Sequence, residues 1–121
     1  MVMILLGAAA SQGVRSGIAR IVRGPDDQAR VQAGEIGVSI EARNLTPLLG
    51  HAAALLCESG GPLCSLATVA REFGTPLVVA LPRASSVIAD GDFVTIDGAA
   101  GLVLVHGRSS GVQLLAGALS A

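Results

Sequence analysis

Residues 60–74 read "GGPLCSLATVAREFG", and the rest of the chain is organised around this stretch. The double glycine breaks the element before it, Pro62 suits the first position of a helix, and Gly74 followed by Pro76 stops that helix after Phe73. At about 100° per residue, Leu63, Leu66, Ala67, Val69, Ala70 and Phe73 share one arc, while Cys64, Ser65, Thr68, Arg71 and Glu72 share the other. The spacing predicts an amphipathic helix over 62–73. Ser65 falls in its first turn on the solvated side, where free backbone N–H groups and the helix dipole favour an anion.

Short, glycine-punctuated elements flank this helix. "VMILLGA" (2–8) is expected as a buried first strand, "SQGVRSG" (11–17) as a turn and "IARIVRG" (18–24) as a second strand, followed by a turn at Pro25-Asp26-Asp27. "IGVSIEA" (36–42) reads as a strand. "NLTPLLGHA" (44–52) reads as a short helix with Thr46 as cap and Pro47 at its first position, and "AALLCES" (53–59) as a buried strand. Beyond the central helix, "PLVVAL" (76–81) is a strand, and "DGDFVTIDG" (90–98) pairs with "AGLVLVHG" (100–107) as a hairpin. The tail 109–121 is expected as a short helix. Strand, helix, strand in the middle implies parallel pairing, and the two ends read as antiparallel hairpins. The fold class is therefore α/β: one domain over 1–121, with a mixed sheet.

Composition narrows the function classes. The chain has 121 residues, 51% of them apolar but only 2% aromatic, so its core is built from Val, Leu, Ile and Ala. Every basic residue is Arg, the net charge is −1, and no basic stripe is present, which argues against nucleic acid or an anionic membrane as partner. The start "MVMILLGAAA" resembles a secretory leader but lacks its positive first region. No run reaches the roughly 20 apolar residues of a membrane span, so a soluble, cytoplasmic protein is the expectation. Cys57 and Cys64 fit neither a disulfide framework nor a zinc site, and no metal or cofactor is expected.

The run "GGPLCSLATVAREFGTPLVVAL" resembles the signature of the phosphohistidine, or swivelling mobile, domain of the phosphoenolpyruvate-utilising enzymes. These include phosphoenolpyruvate synthase, pyruvate phosphate dikinase and rifampicin phosphotransferase. "GAAASQGVRSGIARIV" (7–22), "AGEIGVSIEARNLTPLLGHAAALLCESGG" (33–61) and "IADGDFVTIDGAAGLVLV" (88–105) are similar to the family's other segments, in the family's order, so the resemblance covers about residues 4–106. It implies a swivelling β/β/α domain. It also makes Gly60, Gly61, Leu63, Cys64 and Arg71 equivalents of the family's phosphate-loop residues, and it places the phosphoacceptor histidine's position at Ser65. Leu66 departs as well, where a small residue is usual.

That departure shapes the functional expectation. Imidazole suits a relay because it is nucleophilic near neutral pH and its N-phosphate is a reversible donor, whereas a serine hydroxyl needs a base beside it and yields a stable ester. The resemblance thus implies a mobile domain degenerate as phosphoryl carrier, serving as a binding or regulatory module for an ATP-grasp or phosphoenolpyruvate-synthase-like partner. The alternatives are a phosphotransfer subunit that accepts phosphate at Ser65 or a neighbour, and an assembly piece.

Other candidates are weaker. His51 and His106 read as surface histidines, and Arg15 and Arg43 as solvated charges. Asp90, Asp92 and Asp97 read as turn residues, and "GAAASQGVR" (7–15) lacks the Lys-Ser/Thr pair of a phosphate loop.

Overall fold

A computed structural model of the chain describes residues 2–108. The expected tail helix over 109–121 lies outside the described residues. Eight strands form one mixed sheet: β1 (Met3–Leu6), β2 (Ala8–Ser11), β3 (Val14–Ile21), β4 (Ile36–Ser39), β5 (Ala54–Cys57), β6 (Leu77–Val79), β7 (Asp92–Asp97) and β8 (Leu102–Arg108). Two α-helices accompany them, α1 (Ser65–Phe73) and the single turn α2 (Ala84–Val87), and the turn expected at Pro25-Asp26-Asp27 opens a 310 helix, Pro25–Arg30.

The strand order is β1-β8-β7-β3-β4-β5-β6-β2. The run β3-β4-β5-β6 is parallel, and β3-β7-β8-β1 is antiparallel. β1 and β2 stand at opposite ends of this order yet are joined by Gly7 alone, so the sheet curls until its two ends nearly meet. The fold class is the expected one. The C-terminal hairpin is present as β7–β8, whereas the start of the chain forms no hairpin of its own: β1 joins β8, with Met3 opposite Val105, and β2 joins β6, both antiparallel.

Two apolar clusters hold this shape. Inside the curl, Ala19, Ile36, Val38, Ala54, Leu56 and Val78 of the parallel half meet Val94, Ile96, Val103 and Val105 of the antiparallel half, with Leu81, Ala84 and Ile88 beside them. Outside the parallel half, Leu55, Cys57, Leu77 and Val79 pack against Leu66, Ala67 and Ala70 of α1 and against Leu45 and Leu48. Successive residues of β5 therefore serve opposite clusters. Strands covered on both faces read as continuous apolar runs, which is why "AALLC" and "PLVV" carry no polar alternation. β7 is covered on one face only, and it alternates: Val94 and Ile96 are buried, while Phe93, Thr95 and Asp97 are not.

Four local expectations are corrected. The first strand is not buried: Ile4 and Leu6 are 61% and 70% exposed, and only Leu5 packs against the inner cluster. β1 belongs to the antiparallel half, so one of its faces goes uncovered among the described residues. The turn expected over 11–17 is mostly strand, since β3 starts at Val14 and pairs with β7 from Val14 opposite Asp97 to Ile18 opposite Phe93. Gly17 marks a close approach there, not a bend: a Cβ on it would lie 2.6 Å from the Gly34 carbonyl oxygen.

The third correction is the helix expected over 44–52, which is a pair of 310 turns, Ala42–Asn44 and Thr46–Leu48. Its bonds run from residue i to i+3, as in Leu48 N–H to Leu45 carbonyl (2.9 Å), and the Thr46 hydroxyl donates back to the Ala42 carbonyl (3.2 Å) instead of capping. The fourth concerns α1, which begins at Ser65, not Pro62. The Cys64 N–H donates to the Gly61 carbonyl at 3.0 Å, so Pro62 occupies the second position of a tight turn that precedes the helix. Leu63 is thereby off the helix and 91% exposed, and Phe73 at the far end is 59% exposed. The C-terminal end is as expected, with Gly74 capping in the left-handed region (φ +69°).

Candidate functional site

The parallel strands β3, β4, β5 and β6 all point their carboxyl ends, at Ile21, Ser39, Cys57 and Val79, toward one rim of the domain. In sheets of this kind that rim is where ligands bind. The loop 58–64 leaves β5 at the rim and feeds α1, so the double glycine, Cys64 and Ser65 all lie there. Gly60 has φ +91°, a conformation that side chains other than glycine's rarely tolerate.

The loop is braced on both sides. The Ser59 hydroxyl donates to the Ile40 carbonyl beyond β4 at 2.8 Å. On the other side, the Glu58 carboxylate accepts from the backbone N–H groups of Arg83 (3.2 Å) and Ser85 (2.9 Å) and from the Ser85 hydroxyl, which fastens the loop to the segment beyond β6. That segment carries two residues with positive φ, Ala80 (+53°) and Arg83 (+61°).

The structure brings Gly60, Gly61, Leu63, Cys64 and Ser65 together at the entry to α1, with Ser65 exposed as its first residue. The Ser65 hydroxyl has no hydrogen-bond partner among the described residues. Cys64 is the N-cap, but its side chain makes no capping bond, so the first-turn N–H groups of α1 remain unspent by any cap. Arg71 serves the backbone: its Nη1 donates to the Ala10 carbonyl (2.6 Å) in β2 and to the Pro62 carbonyl (3.0 Å) in the loop. Burial pushes the Cys57 thiol above its ordinary pKa, against hydrogen bonding with Ser59, which keeps it protonated and inert.

The remaining candidates lie elsewhere. His51 Nε2 donates to the Val31 carbonyl at 2.8 Å, next to Gly50, which abuts Phe73 at the C-terminal end of α1. His106 is on β8, with Nε2 2.8 Å from Thr95 Oγ1. Arg15 bonds the neighbouring Val14 carbonyl, and Arg43 pairs with Glu41. Asp92 and Asp97 accept backbone N–H groups in their turns, from Ala89 (2.8 Å) and from Ala99 and Ala100 (3.0 and 3.1 Å). Asp90 pairs with Arg30 and, at 3.6 Å, with Arg20. Residues 7–15 run mostly as strand, without the helix that a phosphate loop feeds. Glu58 and Ser85 were not legible beforehand. Their bond spans 27 residues, and neither stands in a motif.

Against known families, residues 32–101 match the PEP-utilising enzyme, mobile domain. The chain belongs to that family. The mobile domain is 35% identical over 102 residues to a probable phosphoenolpyruvate synthase of Archaeoglobus fulgidus, covering 84% of this chain but 14% of that protein. It therefore spans about a seventh of that relative's length. Among solved structures, an Enzyme I protein matches with a TM-score of 0.58 at 21% identity, over 72% of this chain and 36% of that one. Aconitase X of Thermococcus kodakaraensis matches with a TM-score of 0.66 at 18% identity, over 85% of this chain and 98% of that one. At these identities both likenesses speak for the fold alone. Among the described residues of the mobile domain, no helix is long and apolar enough to cross a membrane.

Proposed function

We propose that this mobile domain is degenerate as a phosphoryl carrier and acts as a binding or regulatory module, docking by the rim at Gly60–Ser65 on an ATP-grasp or phosphoenolpyruvate-synthase-like partner. In this reading Ser65 occupies the place of the family's phosphoacceptor histidine. The observation that carries it is the exposed Ser65 hydroxyl at the head of α1, set in an intact loop with no hydrogen-bonded base among the described residues to activate it. Neither His51 nor His106 stands in for one, since their hydrogen bonds hold them to Val31 and Thr95, away from the loop. That the chain matches only part of a longer relative is in keeping with a function exercised beside other domains.

One observation favours a second reading, in which Ser65 is a terminal phosphate acceptor: the uncapped first turn of α1 leaves N–H groups that would suit a phosphoserine. Incubation of the chain with ATP and the ATP-grasp part of a phosphoenolpyruvate synthase, followed by intact-mass measurement, separates the two. The module reading expects unchanged mass together with co-purification of the two proteins. A gain of one phosphoryl group that disappears in Ser65→Ala establishes the acceptor reading in its place.

A further inference from the structure

The same rim holds a second feature, at the ends of β3 and β4, that does not involve Ser65. A cavity of about 160 Å³ opens there, with walls from Ile21, Val22 and Ile40 and polar groups from Arg23, Ser39, Glu41, Asn44 and Ser85. Its volume corresponds to roughly five water molecules at about 30 Å³ each. A small organic molecule would fill it.

Two of these polar groups belong to mostly buried residues and keep hydrogen-bonding capacity to spare. Ser39 is 1% exposed and Asn44 is 7% exposed. The Ser39 oxygen accepts from Asn44 Nδ2 (3.1 Å) and from the Glu41 N–H (3.4 Å), which occupies both its lone pairs. The hydroxyl proton of Ser39 then has no acceptor among the described residues, and the Asn44 side-chain carbonyl, which has no donor there, is not sealed from solvent. Both groups are open to a partner from within the cavity. One O–H donor beside one C=O acceptor is the complement of an alcohol, which both accepts and donates.

Charge supplies the rest of the recognition. Arg23 is exposed at the cavity's edge and forms no ion pair with any described residue, while the nearby Glu41 carboxylate is neutralised by Arg43 and the Ser85 hydroxyl is taken by Glu58. The Arg23 guanidinium is free to take a planar carboxylate through two hydrogen bonds.

We propose that this cavity binds a short aliphatic hydroxycarboxylate, with its carboxylate on Arg23, its hydroxyl between Ser39 and Asn44, and its carbon chain against Ile21, Val22 and Ile40. The site is independent of the reading of Ser65, and its test distinguishes the two places on the rim. The ¹⁵N-labelled chain is titrated with 2-hydroxybutyrate, butyrate and inorganic phosphate while amide shifts are followed by NMR. Saturable movement of Val22, Ser39, Glu41 and Asn44 amides by 2-hydroxybutyrate is expected, with the amides of Leu66 and Ala67 still.

Butyrate, which lacks the hydroxyl, and the exposed-site variant Arg23→Gln are each expected to weaken binding about tenfold, the order of one charged or well-placed hydrogen bond. Absence of saturation, equal binding of phosphate, movement confined to Leu66 and Ala67, or an unchanged affinity in Arg23→Gln would each overturn the proposal.

Discussion

The guanidinium of Arg71 stands 2.6 Å from the carbonyl oxygen of Ala10, joining the last turns of α1 to β2 across the domain, and the same nitrogen holds the Pro62 carbonyl at 3.0 Å. One side chain thus fixes helix, loop and edge strand in a single register. Arg71→Met keeps much of the aliphatic stem and removes both bonds. The expected cost is about 1–2 kcal/mol, toward the low end for charged hydrogen bonds because one of the two is exposed. A urea denaturation midpoint measures it, and Arg71→Lys is expected to recover only part, since the lysine side chain is shorter and its ammonium is more strongly hydrated.

Gly98 predicts a sharper loss. A Cβ on this residue would lie 1.8 Å from the Ser11 carbonyl oxygen, a backbone atom that cannot swing aside, and the Gly98 N–H already bonds the Gly13 carbonyl at 2.8 Å. Gly98→Ala is expected to destabilise by roughly 2–3 kcal/mol or more, because the turn of the β7–β8 hairpin must lift off β2. Gly91→Ala, in a turn with open space around it, is the comparison. It has φ +93°, so it pays only the backbone cost. Thermal melts of the two variants should differ in that order.

Acid should loosen the joint between β3 and the segments on either side of it. Burial raises the pKa of both Glu35 and Asp90, but the Arg20 hydrogen bond on Glu35, and the Ile21 N–H and Arg30 on Asp90, outweigh it and hold both below the ordinary carboxylate range. Groups depressed in this way stabilise the fold at pH values above the unfolded pKa of about 4, and that stability is lost as pH falls through their folded values. The urea midpoint is expected to stay level from neutral pH down to that range and then drop. In Asp90→Asn the neutral-pH midpoint should be lower and the acid drop shallower.

The exposure of Ser65 makes Ser65→His a benign change. Its stability is expected to stay within about 0.5 kcal/mol of the parent, as for surface positions generally. The next residue, Leu66, is buried against the outer cluster, so Leu66→Ala should cost roughly 2–5 kcal/mol. If Ser65→His unfolds the chain as readily as Leu66→Ala does, the orientation of the first turn of α1 described above is wrong.

How much of this could be read beforehand depends on where each signal resides. The cap at Gly74, the Asp97-Gly98 turn and the apolar runs of β5 and β6 are local, and they were legible because a left-handed cap, a tight turn and a doubly covered strand each demand particular residues in place. The extended start of β3 was not legible. Gly17 looks like a turn residue in sequence, and only the approach of Gly34 gives it another purpose. Pro62 suits the start of a helix as well as the second position of the turn that precedes one, and the Gly61–Cys64 bond decides between them. The glycines and Ser65 of the candidate site were found because they are contiguous. Glu58 with Ser85, and Ser39 with Arg23, meet only through the strand order, and nothing in a linear pattern announces them.

The single-residue joint at Gly7 also has a meaning in time. β1 closes against β8, and β2 closes against β6, so residues 3–11 pair with strands at 77–79 and 102–105, far along the chain. Contacts so distant in sequence form slowly, because the intervening chain must be ordered before they are gained. During synthesis β2 must wait for β6 and β1 for β8, so Leu5, the β1 side chain that packs against the inner cluster, stays in water until the last described strand has emerged. β1, the earliest of the described strands, is thus among the last to find its place, and its arrival on β8 seals the curled sheet.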